Sequence, residues 1–238
     1  MRYVIGDIHG EYEKLNNLVK VLEKDAAEFI FLGDYVDKGL RIVETIDLLI
    51  DLSKSKKCVF LMGDHEFAWL EYINGNERFL DFLLKYGGIQ TLESYLGRKF
   101  SEEKAKVALS DKGTIQKLLK KHIDFYLNLK FYHEADDNFL CVHGGIKPQN
   151  KDMPLEIHNK EELLFLRDDF IYSKFFYNGR KIIFGHTAFK EPYIDEYKIG
   201  IDTGAVYEDR GYGNLIAFNV TKKEFVNHKG EIKKYEKA

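Results

Sequence analysis

A short apolar run that ends in a glycine and an acid occurs repeatedly in this chain and most constrains its fold. One example is the segment 29–32 (FIFL), which is followed by Gly33, Asp34 and, three residues further on, Asp37. Such a run predicts a buried strand, because strands covered on both faces are continuously hydrophobic. In open α/β sheets, ligands bind at the carboxyl ends of the strands. The acids at this strand end therefore predict a ligand site.

The same pattern recurs elsewhere along the chain. In each case an apolar run precedes Asp or His, usually beside a glycine: Asp7 and His9 after 2–5, Asp64 and His65 after 59–62, His143 after 139–142, and His186 after 182–184. A single acid at such a position is more often a helix cap or a turn residue. Five strand ends with the same composition instead favour a shared metal site, because carboxylates and imidazoles are ligands of hard and borderline divalent metals.

Composition limits the remaining possibilities. The length of 238 residues suits one α/β domain or two small ones, and 45% hydrophobic residues suffice for a large core. The net charge of −3 argues against a general nucleic-acid partner. Cys58 and Cys141 lie in apolar runs and are predicted to be buried, reduced thiols. With no leader-peptide pattern and no apolar run long enough to span a membrane, we expect a cytoplasmic protein. We also expect it to be a monomer. The lysine-rich segment from Lys229 is expected to be frayed.

Five motifs occur in order along the chain: GDIHG at 6–10, GDYVDKG at 33–39, GDHE at 63–66, HGG at 143–145 and GHT at 185–187. They resemble those of the calcineurin-type metallophosphoesterases, and more narrowly those of the phosphoprotein-phosphatase (PPP) branch. Segments 86–92, 162–167 and 199–207 are similar to the bacterial and phage members. That group includes serine/threonine phosphatases and symmetrical diadenosine-tetraphosphate hydrolases. The resemblance covers nearly the whole chain.

The resemblance implies a four-layer α/β/β/α sandwich of two mixed β-sheets, formed by one domain over residues 1–238. Residues 67–129 contain no metal-ligand motif and are predicted to form a helical insert beside the site. Within it, Trp69 is a candidate to stack on a base, although packing in the core is the more common role of such a residue.

The resemblance also implies two divalent metal ions. The implied ligands are Asp7 and His9 for the first metal, Asp34 as a bridge, and Asp64, His143 and His186 for the second. Three carboxylates and three imidazoles favour Mn²⁺, with Zn²⁺ or iron as alternatives. Asp64 stands where the family usually has Asn, and it adds a negative charge to the centre.

In the family, a metal-bridging hydroxide attacks phosphorus and a histidine protonates the leaving oxygen. His65 matches that general acid and Asp37 matches the acid that orients it; the alternative is that His65 is a metal ligand or a helix-start residue. Lys38 replaces the usual Arg, so a point charge would bind phosphate in place of a bidentate fork. By resemblance, Arg167 is the leading phosphate clamp, although its acidic neighbours alone would suggest a surface ion pair. Arg41 is a candidate to compensate for Lys38.

Three functions are compatible with these motifs. We favour a metal-dependent phosphoserine/phosphothreonine protein phosphatase, because the motifs nearest the site resemble the bacterial protein phosphatases and the chain has no evident basic cluster for a long polyphosphate. The alternative substrate is a dinucleoside polyphosphate, cleaved by a symmetrical bis(5'-nucleosyl)-tetraphosphatase. The substitutions at Asp64 and Lys38 motivate a third possibility, a non-catalytic phosphate-binding module, but retention of His65 and Asp37 makes it the weakest.

Overall fold

The computed structural model describes residues 1–236, so the last two residues of the predicted domain lie outside the described part. The strands are β1 (Arg2–Ile5), β2 (Glu28–Phe31), β3 (Lys57–Phe60), β4 (Tyr132–Glu134), β5 (Phe139–Val142), β6 (Lys181–Phe184), β7 (Tyr193–Ile194), β8 (Lys198–Gly200), β9 (Ile216–Asn219), β10 (Glu224–Asn227) and β11 (Ile232–Lys234). The helices are α1 (Tyr12–Leu22), α2 (Ile42–Ser55), α3 (Asp64–Ile73), α4 (Arg78–Lys85), α5 (Gly88–Leu96), α6 (Glu102–Ser110), α7 (Lys112–Leu119), α8 (Ile123–Leu127), α9 (Lys160–Phe165) and α10 (Asp168–Ile171).

The strands form two mixed sheets. The first has the order β11-β10-β9-β1-β2-β3, and the second has the order β4-β5-β6-β8-β7. In the first sheet β1, β2 and β3 are parallel, and β9 pairs antiparallel with β1. In the second sheet β5, β6 and β8 are parallel. Each sheet therefore has a parallel centre whose carboxyl ends open at one edge.

Alternation of side chains along the strands builds the layers. On β1 and β2, Val4 and Ile30 point between the sheets and pack with residues such as Ile183 of the second sheet. Their neighbours Ile5 and Phe31 point the other way, into a cluster that includes side chains of α1 and α2. On the far side of the second sheet, a third cluster joins its strands to α9 and α10. Three apolar interfaces separate four layers, which confirms the predicted α/β/β/α sandwich.

The region between β3 and β4 is helical. Apolar residues of α4 to α7, such as Leu83, Leu92 and Ile115, belong to the same cluster as those of α1 and α2. The first helix, α3, begins at Asp64 and not at the predicted start of the insert at 67, so its first turn carries Asp64 and His65. We retain a helical insert within one domain as a proposal.

Near the carboxyl terminus, the segment predicted to fray instead contains an edge strand. Residues Ile232–Lys234 pair antiparallel with β10, in the register Val226 with Ile232. That prediction was wrong because hydrogen bonds between the backbones of β10 and β11 order the segment, although its side chains remain exposed. Among residues 1–236, none of the helices is both long enough and apolar enough to cross a bilayer.

Candidate metal centre and active site

Acids and histidines from both sheets meet at the carboxyl ends of their parallel strands. Asp34, Asp64, His143 and His186 follow β2, β3, β5 and β6, and each offers a ligand atom within 4.8 Å of the others. All four side chains are buried. Oδ1 of Asp64 lies 3.1 Å from Nε2 of His143 and 3.1 Å from Nδ1 of His186. The predicted ligands of the second metal are therefore brought together.

A second group shares Asp34 with the first. It contains His9, Asp34 and His65, and Nε2 of His9 lies 3.2 Å from Oδ2 of Asp34. Nδ1 of His9 donates to the carbonyl of Val36 at 2.7 Å, which leaves Nε2 to face the acid. His65 belongs to this group because its Nε2 lies 3.9 Å from Oδ2 of Asp34. A carboxylate common to two ligand groups has the arrangement expected of a bridge between two cations.

Asp7 lies at the same strand ends but outside both close groups. Its Oδ2 accepts a hydrogen bond of 2.9 Å from the backbone N–H of His186. Burial, together with the charge of Asp202 at the end of β8, raises the pKa of Asp7 well above its ordinary value. Asp202 is an acid at a sixth strand end. The segment 199–207 that contains it shows a family resemblance in the sequence but carries no metal-ligand motif.

The side chains present fit divalent cations. Among the described residues, Oδ1 of Asp7 and Nε2 of His186 are buried without a hydrogen-bond partner. Buried acids that face one another need positive charge close by, and the set of three acids and three imidazoles suits ions that prefer oxygen and nitrogen ligands. The centre thus has both the unmatched polar atoms and the donor chemistry of a metal site.

Next to the ligand groups lies a buried histidine–aspartate pair. Nδ1 of His65 donates to Oδ2 of Asp37 at 2.7 Å. Although burial alone would lower it, the carboxylate of Asp34 raises the pKa of His65. Asp37 also accepts hydrogen bonds at Oδ1 from Nε1 of Trp69 at 2.9 Å and from Oγ1 of Thr91 at 2.5 Å. Both oxygens of Asp37 are therefore held in place.

Sequence reasoning missed the roles of Trp69 and Thr91. The expected packing of Trp69 in the core is confirmed and its stacking on a base is excluded by its burial, but the sequence does not indicate that its indole N–H donates to Asp37. Thr91 lies in the segment 86–92, which was noted only for its similarity to bacterial relatives. Both residues belong to the helical region, so that region contributes directly to the active site.

Glu66 lies in the first turn of α3, as an acid just after the third strand predicts, and its side chain has a further role that the sequence does not indicate. Its carboxylate accepts four backbone hydrogen bonds. Oε2 accepts from the N–H groups of Gly63 and Asp34 at 3.0 Å each, and Oε1 accepts from Tyr35 and Val36 at 2.8 and 3.1 Å. A single side chain therefore joins the turns after β2 and β3, from which Asp34 and Asp64 extend.

Several site residues adopt left-handed backbone conformations that residues other than glycine rarely occupy. They are His9 (φ 46°), Asp34 (54°), Asp37 (65°), Lys38 (65°) and His186 (62°). Non-glycine residues in this region cost free energy and cluster at functional sites. Close packing adds a further constraint, because a Cβ at Gly63 would lie 2.1 Å from Oδ1 of Asp34.

The three predicted phosphate-binding cations occupy different places. Nζ of Lys38 lies 2.7 Å from Nε2 of His9. Burial alone would lower the pKa of Lys38, but the carboxylate of Asp34 raises it. Arg167 donates through Nη1 to the carbonyl of His186 at 3.1 Å and to Oγ1 of Thr187 at 3.3 Å. It therefore borders the loop after β6 that carries the predicted ligand His186. Arg41 instead pairs with Glu13 and Glu44.

The family model "Calcineurin-like phosphoesterase" matches residues 2–229. The PrpE bis(5'-nucleosyl)-tetraphosphatase [asymmetrical] of Oceanobacillus iheyensis is 26% identical, over 94% of this chain and 90% of the relative.

Two further similarities are shorter or more distant. The PP2A-like serine/threonine-protein phosphatase PPG1 of Saccharomyces cerevisiae is 30% identical, over 61% of this chain and 33% of the relative. Among solved structures, a cold-active protein-tyrosine phosphatase of a psychrophilic Shewanella species has a TM-score of 0.60 and 16% identity, covering 99% of this chain and 80% of that chain. At this identity the structural similarity describes the fold alone.

Proposed function

Because the chain belongs to the calcineurin-like phosphoesterases, hydrolases of phosphoester and phosphoanhydride bonds, we propose that it hydrolyses a dinucleoside polyphosphate. The observation that carries this choice is the extent of similarity to PrpE, over 94% of this chain and 90% of the relative. The similarity to PPG1 covers 61% of this chain. The ligand motifs are common to both classes, so the helices and loops around them must select the substrate. For this reason we prefer the dinucleotide to the phosphoprotein that the motifs alone favoured.

In this proposal two divalent ions, with Mn²⁺ as the first candidate, would share the carboxylate of Asp34. Asp7 and His9 would hold one ion, and Asp64, His143 and His186 would hold the other. When bound, such ions polarise phosphoryl oxygens and lower the pKa of water. The buried, unpartnered Oδ1 of Asp7 and the mutual proximity of the other ligands support this assignment.

His65 is proposed as the proton donor to the leaving phosphate oxygen. Its bond to Asp37 keeps the Nδ1 proton in place and directs Nε2 towards Asp34. Trp69 and Thr91 hold Asp37 and thereby fix the plane of the His65 ring. Lys38 and Arg167 supply positive charge at the two sides of the centre, where negative charge on a transferring phosphoryl group would develop. Arg41 remains a weaker candidate because two acids already pair with it.

The test is a comparison of specificity constants in the presence of Mn²⁺ for diadenosine tetraphosphate, a phosphoserine peptide and p-nitrophenyl phosphate. We expect the dinucleotide to have the highest value, with ATP and AMP as products. Two molecules of ADP would instead indicate symmetrical cleavage. A higher value for the phosphopeptide would reject the dinucleotide in favour of the second candidate.

That second candidate is a serine/threonine protein phosphatase, and the 30% identity to PPG1 supports it. The third, a non-catalytic phosphate-binding module, would be indicated by binding of phosphate without turnover of any of the three substrates. The cytoplasmic location and the monomeric state remain predictions.

A further inference from the structure

An open cleft lies beside the metal centre, between α4 and α9. It has a volume of about 240 Å³ and is lined by Arg78, Phe79, Phe82, Glu161 and Phe165. Phe82 and Phe165 are half-buried, and their ring centroids lie 6.0 Å apart. The cleft therefore offers an accessible aromatic surface.

The walls of this cleft are continuous with the active site. The ring of Phe82 lies 5.2 Å from the ring of His65, and the ring of Phe165 lies 6.4 Å from that of His186. Each phenylalanine thus contacts the centre on one side and lines the cleft on the other. These rings are therefore within reach of the chemical group that follows a phosphate bound at the ligand groups.

The outer end of the cleft is polar. Arg78 pairs with Glu161, and their side chains are 55% and 42% exposed. The guanidinium carbon of Arg78 also lies 4.7 Å from the ring centroid of Phe79, so the arginine is held against the aromatic wall. This end presents a hydrogen-bond donor and an acceptor next to each other.

We propose that this cleft is a nucleobase subsite that takes an adenine. Every base has an aromatic face that stacks on rings such as Phe82, and the adenine edge combines an acceptor, N7, with a donor, N6. The guanidinium of Arg78 can donate to N7, and the carboxylate of Glu161 can accept from N6. The inference builds on the proposed function, because it places one base of the dinucleotide, but it applies to any 5'-nucleotide whose phosphate reaches the centre.

The test measures binding, not turnover. Isothermal titration calorimetry with the Mn²⁺-loaded protein would compare AMP, ribose 5-phosphate and phenyl phosphate. If stacking contributes as it does for other base-binding proteins, AMP should bind about 5- to 100-fold more tightly than ribose 5-phosphate. Equal affinities, or no binding of AMP, would overturn the proposal. An equal gain for phenyl phosphate would also overturn it, since the cleft would then accept an aromatic side chain.

Variants locate the effect. Arg78→Ala and Glu161→Gln change exposed side chains and should each reduce the ratio of AMP affinity to ribose 5-phosphate affinity several-fold, with no change in the affinity for ribose 5-phosphate. Phe165→Leu should reduce that ratio further. Arg98→Ala is the matched control, because Arg98 lies 4.9 Å from the ring of Phe100, away from the cleft. An AMP advantage that survives Arg78→Ala, Glu161→Gln and Phe165→Leu would place the base elsewhere.

The outcome is separable from that of the proposed function. Tight AMP binding without dinucleotide hydrolysis would leave the subsite intact and reject the dinucleotide as substrate. Dinucleotide hydrolysis without any advantage of AMP over ribose 5-phosphate would do the reverse.

Discussion

Replacement of Glu66 by Gln should destabilise the protein more than the corresponding acid-to-amide replacement of either other acid in α3, Asp64 or Glu71. Within residues 1–236, every hydrogen bond that the Glu66 carboxylate accepts comes from a backbone N–H, with two donors on each oxygen. In the amide, one oxygen becomes an NH₂ group that cannot accept. Whichever way the amide is turned, two buried N–H groups lose their acceptor and face another donor.

The magnitude follows from those two lost bonds. Hydrogen bonds to charged groups contribute about 1.5–3 kcal/mol each, so the variant should lose about 3–6 kcal/mol of unfolding free energy. Whole domains are stable by only about 5–15 kcal/mol, so this is a large fraction. Burial and the nearby Asp34 raise the pKa of Glu66 to about 7, whereas its four donors favour the ionised form. The comparison is therefore best made at alkaline pH.

The assay is urea denaturation of metal-free protein, followed by circular dichroism, with the slope of the transition compared between variants. Glu71→Gln is the matched control, because Glu71 lies on the same helix and accepts a hydrogen bond from the side chain of Asn76. We expect the control to stay within about 0.5 kcal/mol of the unmodified protein. If Glu66→Gln also stays within that range, the turns after β2 and β3 are held by other contacts and the reasoning is wrong.

Four further predictions concern the centre itself. His65→Asn should lower turnover of an alkyl phosphoester about 10²–10⁴-fold, and less for p-nitrophenyl phosphate, with unchanged metal content; loss of metal by elemental analysis would make His65 a ligand. Thr91→Val should lower turnover about 10- to 100-fold with little change in KM, because the carboxylate of Asp37 loses the donor Oγ1 and the backbone N–H of Asp37 loses its acceptor. Unchanged turnover would show that Trp69 alone holds Asp37. Protein purified without chelator should contain two metal ions per chain, and full activity with one would contradict the dinuclear proposal. Asp64→Asn should weaken metal retention and move the acidic limb of the pH–rate profile to lower pH, because the centre becomes more positive; superimposable pH and chelator-competition curves would refute this.

The sign of the Asp64 prediction depends on that residue being ionised. Burial alone would favour the neutral acid, but the imidazoles of His186 and His65 and the hydrogen bonds from His143 and His186 hold the pKa of Asp64 well below its ordinary value. Asp64 therefore differs in charge from an asparagine at the same position.

The sequence predicted the strand ends well because the signal there is local. An apolar run, a glycine and an acid lie within a few residues, as at Leu32, Gly33 and Asp34, and parallel strands bring such ends to one edge. The four-layer architecture followed from resemblance, and the alternation on β1 and β2 agrees with it.

Contacts between distant segments could not be predicted in this way. The bond between Asp37 and Thr91 joins residues 54 positions apart, and the pairing of Arg41 with Glu13 joins residues 28 positions apart. Neither partner carries a local pattern that identifies the other. The same limitation applies to Glu66, whose position after a strand end fits a helix start equally well.

The position of β9 in the first sheet has a consequence for biosynthesis. β9 pairs with β1, matching Phe218 to Val4, and the N–H of Gly6 donates to the carbonyl of Ile216. Strands β1 to β3 and their helices leave the ribosome before residues 216–219, so the second edge of β1 stays open until those residues have been translated. The backbone just before Asp7 receives its partner at the same late moment. Chains cut before residue 216 would thus expose an aggregation-prone edge of β1 and lack the backbone acceptor for Gly6, which directly precedes Asp7.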